Sequence, residues 1–282
     1  ATGAVAVIFA PLVISQSAIH GPQIALQYLF LAVILMGLIQ IVFGALKFGK
    51  FVRLIPHSVM LGFVNGLAIV IFKAQLDQFY VGTGDQKALI ETQPLIIMCL
   101  LIVITMLISH FLPKLTKAIP ATLAAIVTVT GLGLLLQNMG YKIYNVLDFV
   151  QNIDPSKTTI AAGFPTFQLP IFSIEAIKIV FPYALLAALV GLIESLMTLT
   201  LVDELTQSRG KGNKESIGQG LANVINGFFG GMGGCAMIGQ SMINIRGGGR
   251  GRLSGIAAAL SLLIFFMFGA KLIELIPLAA LV

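Results

Sequence analysis

Charged residues are scarce in this sequence, at 10% of its 282 residues, whereas 57% of the residues are hydrophobic. Soluble globular domains carry about 25% charged residues, so this composition excludes an ordinary soluble domain and indicates a membrane protein. Cysteine is also rare, with only two residues, which excludes a disulfide framework. No cluster of His, Cys, Asp and Glu has the spacing of a metal site, and no nucleophile–base pair indicates an enzyme.

An excess of basic residues gives a net charge of +6, a balance that in a soluble protein would suggest nucleic-acid binding. Here the basic residues lie in short clusters between apolar runs, as the positive-inside rule describes for cytoplasmic loops. Every second connection holds such a cluster: Lys47, Lys50, Arg53, Lys114, Lys117, Arg209, Lys211, Lys214, Arg246, Arg250 and Arg252. We therefore expect a multi-pass protein of the plasma (inner) membrane, with these connections in the cytoplasm and no nucleic-acid partner.

Apolar runs mark the membrane helices expected in an all-α polytopic protein. They lie at about 2–14, 28–46, 56–76, 94–112, 119–137, 179–203, 216–230, 235–245 and 253–268, and another begins near 277. Most have roughly the twenty residues that a full crossing needs, but 2–14 and 235–245 are too short. The charge alternation holds only if each short run counts as one passage, which predicts two half-helices completed by non-helical backbone.

One transmembrane transport domain is expected over residues 1–282, with residues 137–170 as an outer polar loop. The sequence begins without Met inside an apolar run and ends as another run begins. These features predict a fragment of a longer membrane domain.

Glu194 is the only acidic or basic residue in the apolar stretch 184–202. A carboxylate near the centre of a membrane helix costs at least roughly 2.5 kcal/mol to insert, so it usually faces a partner or a watery cavity. No basic residue in this stretch could neutralise it, so a functional role is favoured over a structural one. Glu194 therefore indicates that the protein moves something charged through the membrane.

Two glycine-containing segments open the short helices, at 1–6 and 230–241. Glycines let the backbone unwind beside a helix start, where free N–H groups attract anions. Paired broken helices are the sequence sign of a transporter site at the bilayer midplane. The alternative is that the glycines serve only close helix packing.

Thr198 follows Glu194 by four residues and so lies on the same helix face. A carboxylate and a hydroxyl spaced in this way can bind a small hard cation, or can form a protonatable site with a hydrogen-bond partner. Alternatively, the Thr198 hydroxyl bonds back to a carbonyl of its own helix. The sequence leaves both possibilities open.

Five stretches resemble the SulP family of inorganic anion transporters, and most closely its BicA-type bicarbonate transporters. They are 1–4 (ATGA), 55–66 (IPHSVMLGFVNG), 191–196 (GLIESL), 218–223 (GQGLAN) and 226–231 (NGFFGG). The resemblance implies part of a 7+7 inverted-repeat fold like that of uracil permease, with core and gate domains. The chain would run from the third membrane segment to about the start of the twelfth, without the cytoplasmic STAS domain.

The resemblance also implies the site residues. The anion would lie between the N-termini of segments three and ten, near Thr2, Gly3, Ala4, Cys235, Ala236 and Met237, with Gln240 facing the site from the first turn of segment ten. Na+ would be held by Glu194, Thr198, Gly234, Cys235 and Ala236. The chain differs from the family at two of these positions. The Na+ site of the family has Asp where this chain has Glu194, and many members have Arg where this chain has Gln240.

These patterns predict a secondary active transporter of a small inorganic anion, with no cofactor and with Na+ or H+ as the coupling ion. Na+-coupled bicarbonate symport is the first hypothesis, and H+-coupled sulfate or dicarboxylate symport is the second. An uncoupled anion channel is the alternative from another class. The sequence leaves open whether the full-length protein forms a homodimer.

Overall fold

The computed structural model describes residues 3–49, 57–81, 88–115, 121–153, 159 and 163–281. Its α-helices are α1 (Gly3–His20), α2 (Pro22–Ala45), α3 (His57–Leu76), α4 (Thr92–Leu115), α5 (Ala121–Asn138), α6 (Val146–Ile153), α7 (Ile174–Thr206), α8 (Gly212–Phe228), α9 (Ile238–Arg246), α10 (Arg252–Phe268) and α11 (Ala270–Glu274). Two short strands, β1 (Tyr80–Val81) and β2 (Ala88–Leu89), pair antiparallel. Short 3-10 helices lie at Asp77–Phe79 and Leu278–Ala280.

The helices follow the apolar runs closely. Five of those described, α1, α2, α4, α5 and α7, are long and apolar enough to cross a membrane. The short run at 235–245 contains the nine-residue α9, preceded by seven non-helical residues, 231–237. Run 235–245 therefore forms a half-helix, as predicted.

The prediction that run 2–14 is too short to span the membrane is wrong, because the helix that contains it is longer than the run. Helix α1 continues past the apolar run to His20 and has 18 residues, a length of about 27 Å at 1.5 Å per residue. A helix ends at backbone signals and not where polarity rises. Here the signals are Gly21, with φ of 85°, and Pro22, which follow the usual pattern of glycine after one helix and proline in the first turn of the next.

Residues 1–71 and 165–255 form one compact unit. Its apolar core joins α1, α2 and α7 through buried Val5, Phe9, Leu12, Leu31, Val33, Met36, Ala187 and Ala188. Cys235 and Met232, from the segment before α9, pack against the same core. The core therefore holds the start of α1 and the glycine-rich segment 231–237 against α7.

Helices α2 and α8 pack with their backbones almost in contact. A Cβ on Gly37 would lie 2.5 Å from the carbonyl oxygen of Gly220, and a Cβ on Gly220 would lie 2.5 Å from that of Gly37. Small residues allow such close approach between membrane helices. For these two glycines a packing role is clear, and the close contact positions polar residues of α2 and α8 beside one another.

Residues 72–164 and 256–282 form the second compact unit. Its core joins α4, α5 and the Leu278–Ala280 turn through Met98, Leu101, Val129, Leu278 and Ala279. The predicted outer loop 137–170 contains α6, so its description as a loop alone is wrong for residues 146–153. The Asp148 carboxylate accepts a 2.8 Å hydrogen bond from the Asn145 N–H, which stabilises the first turn of that helix.

Candidate functional site

Helix α7 buries one polar face against its own unit. Its N-terminus is capped by Ser173, whose Oγ accepts from the Ala176 N–H at 3.0 Å. Three polar residues near its centre are buried: Glu194 is 9% exposed, Ser195 1% and Thr198 3%. Buried polar groups need hydrogen-bond partners, and the partners come largely from the segment that precedes α9.

Residues 231–237 form this α8–α9 segment. Gly230 and Gly233 adopt positive φ angles of 74° and 79°, which glycine reaches at little cost. The chain thereby leaves α8 and passes α7 as non-helical backbone before α9 starts at Ile238. Unwound backbone of this kind exposes N–H and carbonyl groups to a ligand site.

Two hydrogen bonds of 3.0 Å or shorter hold the α8–α9 segment against α7. The Cys235 thiol donates to Oε2 of Glu194 with the sulfur 2.9 Å away. The Ala236 N–H donates to Oγ of Ser195 at 3.0 Å. The structure therefore brings together Glu194, Cys235 and Ala236, three of the residues named from the sequence.

The Thr198 hydroxyl oxygen contacts two carbonyl oxygens. Its hydroxyl donates to the carbonyl oxygen of Glu194 at 2.8 Å, which is the bond within its own helix. The same oxygen lies 3.3 Å from the carbonyl oxygen of Ala236. A hydroxyl has one hydrogen but two lone pairs, so the bond to Glu194 leaves the Thr198 oxygen able to accept or to bind a cation.

Gly234 is held by amide side chains. Its N–H donates to Oδ1 of Asn223 at 2.9 Å, and its carbonyl accepts from Nδ2 of Asn223 at 3.0 Å. The same carbonyl accepts from Nε2 of Gln219 at 2.6 Å. These bonds occupy both lone pairs of the Gly234 carbonyl oxygen, so Gly234 is tied to α8.

Gln40 of α2 completes this network. Its Oε1 accepts from Nδ2 of Asn223 at 2.8 Å, and both residues are buried, at 0% and 2% exposure. Sequence analysis missed the roles of Gln40, Asn223, Gln219 and Ser195. The signal that could have found Gln40 is a lone amide inside the apolar run 28–46, because a polar group in a membrane helix needs a partner.

The described residues that were predicted to bind the anion lie at the start of one helix and at or just before the start of another. Helix α1 begins at Gly3, and Ala4 is buried. Thr2 lies outside the described residues. Met237 directly precedes α9, and Gln240 lies exposed in its first turn.

The donor set around Glu194 suits a small hard cation. The Glu194 carboxylate, the Thr198 hydroxyl and the Ala236 carbonyl supply oxygen atoms, which hard cations prefer. The described part of the chain has no group of three or more His, Cys, Asp or Glu residues placed to hold a metal ion.

Comparison with solved structures supports this fold. The transmembrane domain of a cyanobacterial bicarbonate transporter, BicA, matches with a TM-score of 0.83 and 33% identity, over 99% of this chain and 71% of that one. The murine anion transporter Slc26a9, in its inward-facing state, matches in fold with a TM-score of 0.69 and 17% identity, over 93% of this chain and 44% of that one. The predicted fold, a polytopic all-α protein with part of a 7+7 inverted repeat, is confirmed.

Sequence comparison finds relatives named as transporters. The chain is 41% identical to the putative sulfate transporter YbaR of Bacillus subtilis, over 100% of this chain and 53% of that protein. It is 33% identical to the bicarbonate transporter BicA of Synechocystis, over 95% of this chain and 47% of that protein. The chain spans about half the length of these curated relatives. Their names agree with the expectation that the chain is not an enzyme.

A family-wide comparison covers the chain from end to end. The sequence model of the Sulfate permease family matches residues 1–93 and 89–282. Proteins of this kind are multi-pass membrane transporters, which agrees with the apolar helices described above and with a plasma-membrane location. The chain belongs to the sulfate permease (SulP) family.

Proposed function

We propose that the protein is a secondary active transporter that carries a small inorganic anion across the plasma membrane together with Na+, with bicarbonate as the first candidate substrate. The observation that carries the proposal is the contact between the buried Glu194 carboxylate and Cys235 of the α8–α9 segment. The likeness to the BicA bicarbonate transporter, over 95% of this chain, supports the substrate. Residues 1–282 would form the transport domain, and a homodimer would be the larger assembly.

The proposed cation ligands are oxygen atoms of Glu194, Thr198 and Ala236. The oxygens of Thr198 and Ala236 lie 3.3 Å apart, close enough for one small cation to contact both. The shorter hydrogen bond of the Thr198 hydroxyl is to the carbonyl of its own helix, at 2.8 Å, and with the hydrogen on that side its lone pairs would face the cation. Gly234 and Cys235 would contribute by holding the segment in place, since the Gly234 carbonyl already accepts two N–H groups.

The proposed anion site lies at the N-termini of α1 and α9. Free N–H groups and the helix dipole give these ends a partial positive charge that attracts anions. The backbone of Gly3 and Ala4 would supply one side, together with Thr2, which is assigned to the site from the sequence alone. The other side would come from residues 235–237 and the neutral side chain of Gln240.

Charge balance explains why the two sites would be coupled. No basic residue lies in the stretch 184–202 around Glu194. An ionised Glu194 and an anion about 6 Å apart repel by roughly 3 kcal/mol at an effective dielectric of about 20. A cation bound at Glu194 removes that repulsion, so anion binding becomes conditional on cation binding, which is the requirement for symport.

A second candidate is H+-coupled uptake of sulfate or a dicarboxylate at the same site. It is favoured by the 41% identity to a putative sulfate transporter. It is also favoured by the identity of residue 194, because a glutamate can cycle a proton. In this case protonation of Glu194 would replace Na+ binding in the charge balance.

The test is uptake of labelled bicarbonate and sulfate into proteoliposomes containing the protein, with Na+ replaced by choline at fixed pH. The proposal expects Na+ to stimulate bicarbonate uptake, and Glu194→Gln to remove that stimulation. The matched control is Glu204→Gln, which neutralises an exposed acid ten residues along the same helix and should leave uptake unchanged.

Each alternative has its own outcome in this assay. Uptake that is equal in Na+ and choline would overturn Na+ coupling. If external acid then drives sulfate uptake without Na+, the proton-coupled candidate replaces it. Currents that follow the anion gradient alone, with little effect of Glu194→Gln, would identify an uncoupled channel.

A further inference from the structure

Asn223 joins three elements of the first unit through its side-chain amide. Its Oδ1 accepts from the N–H of Gly234, and its Nδ2 donates both to the carbonyl of Gly234 and to Oε1 of Gln40. All three bonds are between 2.8 and 3.0 Å. One side chain of α8 therefore fixes both backbone polar groups of Gly234 and is itself fixed by α2.

Close packing makes this arrangement rigid. Gly37 and Gly220 bring α2 and α8 almost into backbone contact, and each lies three residues before its amide, Gln40 or Asn223. Residues three apart share a helix face, so each amide lies on the same face of its helix as the glycine contact. In a buried network, losing one partner leaves the other polar groups without hydrogen bonds, and the protein then loses the full desolvation free energy of those groups.

Gln40 also borders the face of α7 that carries Glu194. A Cβ added to Gly191 would lie 3.0 Å from Nε2 of Gln40 and 3.6 Å from Cβ of Cys235. The Nε2 atom of Gln40 is buried and has no hydrogen-bond partner among the described residues. Its side chain is therefore held through Oε1, by Asn223.

We infer that Asn223, oriented by Gln40, is a positioning residue that holds Gly234 so that Cys235 and Ala236 meet Glu194, Ser195 and Thr198. It has no direct part in binding. The bonds of Cys235 and Ala236 to α7 begin one and two residues after the clamped Gly234, so release of Gly234 shifts both. The effects on transport that this inference predicts rest on the proposed function.

The sharpest variant is Asn223→Asp, which keeps the shape and the acceptor for the Gly234 N–H but loses both donated bonds. Under the proposed function, the Na+ concentration for half-maximal uptake rises by about tenfold or more, because two hydrogen bonds that hold the network together are lost. The half-saturating anion concentration, measured at saturating Na+, changes far less. Gln40→Met is the milder variant and shifts Na+ dependence in the same direction. A purely structural defect would lower the amount of active protein without raising the half-saturating Na+ concentration more than the half-saturating anion concentration.

Cys235 provides a readout that does not depend on transport. In a Cys99→Ser background, Cys235 is the only cysteine, and its rate of reaction with N-ethylmaleimide reports how tightly the segment lies against Glu194. Asn223→Asp and Gln40→Met should raise this rate by several fold. Asn138→Asp, which changes an exposed asparagine at the end of α5, should leave the rate unchanged.

The two readouts separate the possible failures. An unchanged labelling rate in Asn223→Asp and Gln40→Met overturns the inference, whatever uptake shows. A raised rate in a protein without Na+-stimulated uptake keeps the positioning role and rejects the proposed function. If Asn223→Asp does not fold, the labelling rate and Na+ dependence of Gln40→Met decide the question alone.

Discussion

The sulfur of Cys235 lies 2.9 Å from Oε2 of Glu194, so the segment that precedes α9 directly contacts the buried acid of α7 through a side chain. The two residues are 41 positions apart in the sequence. Under the proposed function, one helps to bind the cation and the other lies beside the anion. A change in charge at Glu194 would then act on the anion site through one contact, without a distant conformational relay.

Replacing Thr198 by Val should weaken Na+ binding while keeping the shape of the side chain. Valine lacks the hydroxyl oxygen that lies 3.3 Å from the Ala236 carbonyl, so the cation loses a ligand. We expect the half-saturating Na+ concentration to rise by about tenfold, which corresponds to roughly 1.4 kcal/mol of binding free energy. Thr198→Ser keeps the oxygen and should stay close to the unsubstituted protein. The measurement is Na+ titration of bicarbonate uptake.

Thr200 offers a matched control for this prediction. Its hydroxyl makes the same kind of bond within the helix, to the carbonyl of Leu196 at 2.9 Å. It lies two residues further along α7 and so faces away from Thr198. Thr200→Val should leave Na+ dependence unchanged. Equal shifts of the half-saturating Na+ concentration in Thr198→Val and Thr200→Val would contradict a ligand role for Thr198. The shifts would then come from loss of the hydrogen bond within the helix.

Adding a methyl group at Gly220 should destabilise the first unit. The new Cβ would lie 2.5 Å from the backbone oxygen of Gly37, and two helix backbones cannot both move aside cheaply. Overpacking of this kind typically costs about 1–3 kcal/mol. At Gly218, two residues earlier in α8, no described atom lies within 4 Å of an added Cβ. Gly218→Ala should be neutral or slightly stabilising, because alanine favours helix.

The measurement is the fraction of detergent-solubilised protein that stays monodisperse after heating over a temperature series. Gly220→Ala should lose half of its monodisperse fraction at a lower temperature than the unsubstituted protein, and Gly218→Ala should not. Similar melting of both variants would show that the α2–α8 contact does not limit stability.

Hydropathy and charge predict most of the helices here because the bilayer imposes a common length on every crossing. Glu194 stands out for the same reason, as the single acid in an apolar stretch. The true end of α1 was less visible, since Gly21 and Pro22 end the helix six residues after the last apolar residue of the run. Helix α6 was missed, although Asn145 and Asp148 have the spacing of a helix cap.

The amide network could not be predicted, because it depends on which helices pack together. Gln40 and Asn223 are 183 positions apart, and neither lies in a local pattern that points to the other. Their meeting follows from the close approach of α2 and α8 at Gly37 and Gly220. Local sequence thus predicts the acid and the unwound segment, while the tertiary fold determines what holds them together.

Placing a fixed positive charge in the first turn of α9 should reduce the need for Na+. Gln240 is exposed there, and under the proposed function its neutrality makes the cation necessary for anion binding. In Gln240→Arg, a charge about 6 Å from the anion at an effective dielectric of about 20 would contribute more than the roughly 1.4 kcal/mol that a tenfold change requires. We expect uptake without Na+ to rise, and the ratio of uptake with and without Na+ to fall by about tenfold.

The matched control is Gln137→Arg, which adds the same charge at an exposed glutamine near the end of α5. If the added charge acts at the anion site, Gln137→Arg keeps the Na+ dependence of the unsubstituted protein and only Gln240→Arg loses it. Equal loss in both variants would assign the effect to net charge and surface potential. Unchanged Na+ dependence in Gln240→Arg would mean that repulsion between Glu194 and the anion does not create the coupling. Na+ would then act by ordering the Thr198–Ala236 contact, and Thr198→Val would keep its effect in the Gln240→Arg background.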